Sequence, residues 1–197
     1  MKKIQPGLLT KIGGMMKKTL FFLTVIFLSS VLASNLSAAE SAPDTDVEIK
    51  TVQSFPYCCI HRVGPLTEIE NVISQLFPVM QNQNISPQGT MIGVYYSNPQ
   101  VVAPENMEWE IGFPCSAQVS PLKPLEKKVW SFEQVASAIH TGPYEKTGET
   151  YIRIFEWMET NGYEQAGPVL EKYLNMPSPD IDPATLRAEI WIPVQKK

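Results

Sequence analysis

The chain has 197 residues, with 16 Lys and Arg against 20 Asp and Glu and 44% hydrophobic side chains, which fits one domain or two small ones. The first 39 residues hold five of the lysines and none of the acids, so the remainder carries 11 basic against 20 acidic side chains, net −9. A surface of that sign repels phosphate backbones and offers no basic patch, which argues against nucleic acid as a partner.

At the amino end, Lys2, Lys3, Lys11, Lys17 and Lys18 precede an apolar run over residues 19–32, and small residues follow at Ser37-Ala38-Ala39. Basic region, short apolar core and small-residue cleavage site read as a secretory signal peptide over 1–39. The expected localisation is therefore periplasmic or secreted. The apolar run is short for a membrane span, so membrane contact is expected only through this segment, and only if it stays uncleaved. Residues 40–46 form a polar leader, and 47–197 the domain proper.

A strand is predicted to begin near Val47, where Val47, Ile49 and Thr51 alternate with Glu48 and Lys50, and to continue to Ile60 with a break near Pro56. The pattern turns at His61-Arg62-Val63-Gly64-Pro65. Thr67 with Glu70 three residues on reads as a hydroxyl helix cap with a reciprocal acid. Ile69, Val72, Ile73, Leu76 and Met80 then recur at helical spacing, with Pro78 expected to kink or end the helix early. Short strands follow over 90–96 and 108–115, and the proline-bearing stretch 116–124 reads as a linker. Beyond it, 129–140 reads as a strand and Gly142-Pro143 as a turn. Thr147, Tyr151, Ile154, Phe155 and Met158 form an apolar helix face ended by Asn161-Gly162. Strands opening at Gly167 and over 188–194 close the chain.

Cys58, Cys59 and Cys115 are an odd set. Neighbours on a strand point to opposite faces, so a bond between Cys58 and Cys59 would be strained. One of them can pair with Cys115 in an oxidising compartment; the other reading makes all three small buried hydrophobes.

The halves 47–115 and 125–195 can be laid over each other. Gly64-Pro65 matches Gly142-Pro143, Gly89 matches Gly167 and Tyr95 matches Tyr173, all at an offset of 78; Glu110-Ile111 with Pro114 matches Glu189-Ile190 with Pro193 at 79. Such regularity implies an internal duplication. The expected fold is α+β: a tandem pseudo-twofold repeat of strand-helix-strand-strand units, with antiparallel sheets and two main helices. In this registration Glu171 falls opposite Gly93. A glycine at one address and an acid at the matching one suggest a cavity between the halves, roomy on one side and charged on the other. Within its strand Glu171 shares a face with Val169 and Tyr173, and such an acid, once covered, needs a cation, a donor or a proton.

His140-x-Gly142-Pro143-Tyr144, the helix through Trp157 to Asn161-Gly162-Tyr163, Gly167-Pro168-x-x-Glu171-x-Tyr173 and the closing Glu189-Ile190-Trp191-Ile192-Pro193 resemble the GyrI-like small-molecule-binding family. This effector-binding module also occurs in multidrug-sensing transcription regulators. The resemblance implies an aromatic-lined cleft between the halves, in which the acid matching Glu171 meets lipophilic cations. By position it implies Tyr144, Tyr173 and Trp191 in the lining and Glu189 as a second acid, while registration adds Gly93 and Tyr95.

The function expected is thus an exported small-molecule-binding protein that sequesters or senses lipophilic, cationic compounds, with no cofactor and no metal. Some family members hydrolyse strained electrophilic rings, so the alternative is a hydrolase using Glu171 as general base. A further alternative is an envelope protein-interaction module. No G-x-S-x-G elbow is present, and Cys58, Cys59 and His61 lack the spacing of a metal site.

Overall fold

Alternating side chains draw residues 48–63 into two strands, β1 (Glu48–Thr51) and β2 (Phe55–Val63), and residues 126–141 into β5 (Glu126–Trp130) and β6 (Gln134–Thr141). The structure, a computed structural model, describes residues 47–197; the signal peptide and polar leader read from the sequence lie outside the described residues. Glu48 stands opposite Ser137 and Phe55 opposite Trp130, one register throughout, and between the two ladders Val52 N donates to Glu133 O at 2.7 Å. Residues 48–63 and 126–141 therefore run as two long antiparallel strands, each bent at a corner, 52–54 and 131–133. The alternation in the sequence predicts the first break near Pro56 and none in 129–140. Pro56 instead sits at the start of β2, where a missing N–H interrupts little of the ladder, and its carbonyl accepts from Cys115 N at 3.0 Å.

The remaining strands are β3 (Ile92–Tyr95), β4 (Glu108–Pro114), β7 (Tyr163–Gln165), β8 (Val169–Tyr173) and β9 (Arg187–Lys196). The sheet runs β1-β6-β9-β8-β3-β4-β2-β5, with β7 on β9. Because β1 leads straight into β2 and β5 into β6, the corners draw the two ends of this path together and the sheet curls. Phe55 of β2 thus reaches Trp191 of β9, with ring centroids 6.5 Å apart. β7, three residues long, escaped the sequence reading because two alternations make no period.

Two helices lie on one face of the sheet. In α1 (Ile69–Asn82) the buried side chains are Val72, Leu76 and Met80; in α2 (Thr147–Thr160) they are Thr150, Ile154 and Met158, at the same spacing of four. That spacing forms one stripe on a 3.6-residue helix. Pro78 does not end α1, which continues to Asn82. Proline forfeits one backbone hydrogen bond, but Met80 beyond it is 2% exposed and packs in the cluster with Leu76, Trp109 and Phe113. Tertiary burial outweighs the lost bond. Nor does Thr67 cap the helix: a 3₁₀ turn, Leu66–Glu68, leads into α1, and neither has a side-chain cap. α2 stops as expected, with Asn161 as its C-cap and Gly162 at φ +71°, a left-handed position that favours glycine. Phe155, expected on the apolar face, is 40% exposed.

The element order β2-α1-β3-β4 recurs as β6-α2-β8-β9 with the short β7 inserted after α2, and the two halves join along β3 and β8, with Gly93 opposite Glu171. The fold is α+β, an antiparallel sheet with two main helices. α1 packs on Cys58, Ile60, Trp109 and Ile111, and α2 on Ala136, Ala138, Ile190 and Ile192. The opposite face holds Tyr57, Ile92, Val94, Trp130, Leu170 and Trp191. Among the described residues no helix is long and apolar enough to cross a membrane.

Candidate functional site

β8 delivers Glu171 to the helix-covered face at the seam between the halves. There it is 5% exposed. Its carboxylate accepts from Tyr151 Oη of α2 at 2.6 Å and from Tyr173 Oη, two residues along β8, at 2.8 Å. Tyr95 Oη lies 2.6 Å from Tyr173 Oη. Since the Tyr173 proton goes to the carboxylate, Tyr95 is the donor in that pair. The chain of donation runs Tyr95 to Tyr173 to Glu171, with Tyr151 arriving from the helix. Tyr144 closes the side, its ring edge-on to Tyr173 at 5.0 Å and its hydroxyl donating to the Asn175 carbonyl at 2.5 Å, with the Arg187 carbonyl 3.0 Å away.

Gly93 makes this arrangement possible. A Cβ there would stand 2.8 Å from Tyr95 Oη and 3.0 Å from Tyr173 Oη. The room expected at Gly93 is therefore taken up by two phenol hydroxyls, which meet over the bare backbone.

Burial pushes the Glu171 carboxyl above its ordinary 4.5, opposed by the hydrogen bonds of Tyr151 and Tyr173 and, more weakly, by His140. Burial, with the nearby Glu171 charge, also raises Tyr151, Tyr173 and Tyr95, so the phenols stay protonated donors. His140 is held by two partners, Nε2 at 3.1 Å from the Pro143 carbonyl and Nδ1 at 3.0 Å from Thr150 Oγ1. A carbonyl only accepts, so Nε2 carries a proton. A carboxyl raised by folding contributes stability that is complete below its unfolded value and is lost as pH rises through the folded value. Relative to Glu171→Gln, the wild type is expected to lose stability steadily as pH climbs above the ordinary glutamate range; denaturant titrations of both proteins between pH 4 and pH 8 check this, and parallel curves contradict it.

Of the site residues read from the sequence, Glu171, Tyr173, Tyr144, Tyr95 and Gly93 come together. Trp191 and Glu189 do not. Ile190 is the residue opposite Glu171, so its neighbours in β9 point to the other face, by simple alternation. There Glu189 meets Lys50 at 2.8 Å, Lys172 at 3.0 Å and Ser137 at 3.3 Å. Burial acts to raise its carboxyl, yet the hydrogen bonds and charge of Lys50 and Lys172 bring it down to about 2. Lys172 also lies 4.5 Å from the centre of the Trp191 ring. Glu110 occupies the corresponding place in β4, fully buried, with Tyr57 at 2.9 Å, His61 at 3.2 Å and Lys128 as partners. Glu189 and Glu110 are thus paired with lysines, whereas the hydrogen bonds on the Glu171 carboxylate come from the neutral phenols of Tyr151 and Tyr173, with His140 acting on it weakly and through space.

By its spacing Tyr151 belongs to the apolar face of α2, and the sequence does not mark it as a site residue. The available signal was its hydroxyl, which on a buried face demands an acceptor. Among the described residues no group of three His, Cys, Asp or Glu side chains is placed to hold a metal.

Solved structures of similar fold include EcmrR in its DNA complex, 20% identical over 77% of this chain and 58% of that one, with a TM-score of 0.67. A hydrolase encoded by lin2189 from Listeria innocua is 13% identical over 81% of this chain and 96% of that one, TM-score 0.60. SAV2435 bound to tetraphenylphosphonium is 12% identical over 77% and 94%, TM-score 0.53. The chain thus spans a little over half of EcmrR, and at these identities the likeness is one of fold. No curated protein matches significantly. The GyrI-like small molecule binding domain, by contrast, matches residues 45–195, which takes in both helices, all but the last residue of the strands and the tyrosine-covered glutamate, and the chain belongs to that family.

Proposed function

We propose that this small-molecule-binding domain takes lipophilic organic cations at Glu171, and that it does so outside the cytoplasm, sequestering or sensing them. The observation that carries the reading is one carboxylate, buried at the seam of the two halves, hydrogen-bonded by two neutral phenols and set among four tyrosines. A buried acid covered by neutral donors retains an uncompensated charge when ionised, and an arriving cation supplies the compensation. Each tyrosine face adds about 0.5–2 kcal/mol of cation–π attraction. A neutral ligand of the same shape gains neither term. The fold likeness to SAV2435 in complex with tetraphenylphosphonium suggests the probe. The export reading rests on the basic, apolar and small-residue order of positions 1–39.

Calorimetry with tetraphenylphosphonium is expected to show binding that Glu171→Gln weakens at least several-fold, and that weakens as the pH falls and the carboxyl is protonated. Unchanged affinity in the variant would remove Glu171 from the site. The raised carboxyl and its phenol neighbours also suit a general base with an adjacent acid. Turnover of a strained electrophilic ring, abolished by Glu171→Gln, would replace the binding reading with a hydrolytic one; recovery of intact ligand keeps it. Amino-terminal sequencing of exported material tests the cleavage after Ala39.

A further inference from the structure

Cys58 lies in β2 opposite Phe113 of β4, so Cys115, two residues past Phe113, is its diagonal neighbour on the same face. That face is the one covered by α1, and both thiols are buried, Cys58 completely and Cys115 to 2% exposure. The backbone holds them in place: Cys115 N donates to the Pro56 carbonyl at 3.0 Å. Their sulfurs are 2.9 Å apart, closer than unbonded sulfur atoms ordinarily come. Cys59 points to the other face, where its sulfur is 3.5 Å from Glu110 Oε2 and 3.8 Å from the Glu126 carbonyl. Alternation along β2 thus selects the pair, matching Cys58 with Cys115 and setting Cys59 apart.

We propose that Cys58 and Cys115 are a covalent modification site, closing as an intrachain disulfide when the chain folds in the presence of a disulfide donor. The Cys58 thiolate attacks one sulfur of the donor disulfide and releases the first donor thiol. The Cys115 thiolate then displaces the second. The two cysteine protons end on the two donor thiols, and the electron pair given up by the cysteines reduces the donor. The bond joins residues separated by 57 positions, tying β2 to the start of the 116–124 connection beneath α1. Closing a loop of that length removes freedom from the unfolded chain and favours folding by up to about a thousandfold.

Timing follows from burial. Thiolate is the reacting species, and in the folded, reduced protein burial pushes the Cys58 thiol up to about 12, with the hydrogen-bonded Cys115 adding to the effect. Oxidation therefore belongs to the folding chain, before α1 covers the pair, and the folded dithiol resists the same donor.

The full chain, unfolded and refolded in a buffer of oxidised and reduced glutathione, tests this in vitro, so that its outcome is independent of the export reading. Alkylation under denaturing conditions is expected to find one free thiol, Cys59, and peptide mapping to join Cys58 to Cys115. Cys59→Ser keeps the link, and its denaturation midpoint, like that of the wild type, falls on reduction. Three free thiols at equilibrium, mixed disulfides with glutathione alone, or a link through Cys59 would each overturn the proposal, and the wild-type measurement decides it even if Cys58→Ser or Cys115→Ser fails to fold.

Discussion

Gly93→Val is expected to destabilise the protein by about 2–4 kcal/mol, combining overpacking with loss of buried hydrogen bonds, and to weaken tetraphenylphosphonium binding by an order of magnitude or more. The new Cβ would lie 2.8 Å from Tyr95 Oη and 2.9 Å from its Cε2, so the ring must move. Moving it breaks the donation to Tyr173, which holds the proton that Tyr173 gives to Glu171. Valine's preference for strands returns at most about 1 kcal/mol. Gly93→Ala carries only the Cβ and should cost about 1 kcal/mol, the worth of one buried hydrogen bond. The diagnostic comparison is Gly93→Ala with Tyr95→Phe. Deleting the hydroxyl that the methyl meets makes the double variant less damaged than the sum of the singles, a coupling that urea denaturation resolves. Strict additivity would show that Gly93 serves the strand and not the tyrosine pair.

Glu189→Gln is expected to cost about 2–3 kcal/mol at pH 7, with that cost disappearing in acid. Folding brings the Glu189 carboxyl from an ordinary 4.5 down to about 2, because Lys50 and Lys172 outweigh the burial that acts in the other direction. A depressed carboxyl contributes stability that is present above its unfolded value and is lost as pH falls through the folded value. The contribution is thus complete above pH 4.5 and gone near pH 2. The lysines are about a third exposed, at 35% and 29%, and solvent screening there reduces the gain, so about 2 kcal/mol is assigned to the ionised acid. The glutamine variant adds the repulsion of two ammonium groups left facing each other. Urea unfolding at pH 7 and pH 3 measures the change, and a difference of the same size at both would dissociate Glu189 from the lysines. Because this acid sits on the other side of the sheet from Glu171, tetraphenylphosphonium affinity should stay within twofold of the wild type.

These two acids show what the chain sequence by itself determined. Strand period made Glu171, Val169 and Tyr173 neighbours on one face before any fold was known, and the common offset of Gly89, Gly167, Tyr95 and Tyr173 put Gly93 at the address of Glu171. Helix period placed Val72, Leu76 and Met80 on one stripe and Ile154 with Met158 on another. Each of these is a statement about a single element or a matched pair of them, and backbone geometry alone enforces it.

What only the tertiary structure decided is which face of one element meets which face of another. Glu189 and Trp191 read as site residues because they close the same motif as Glu171. The pairing of Glu171 with Ile190 turns them away, and a shift of one residue would have turned them in. Tyr151 joins the site only because α2 crosses the sheet at that height. Cys58, not Cys59, faces Cys115 for the same reason of parity between strands. The corners at 52–54 and 131–133 and the persistence of α1 past Pro78 likewise depend on what packs against them. Side-chain period is written along the chain, but register between elements is chosen by burial and backbone hydrogen bonding across it, and those partners are distant in sequence.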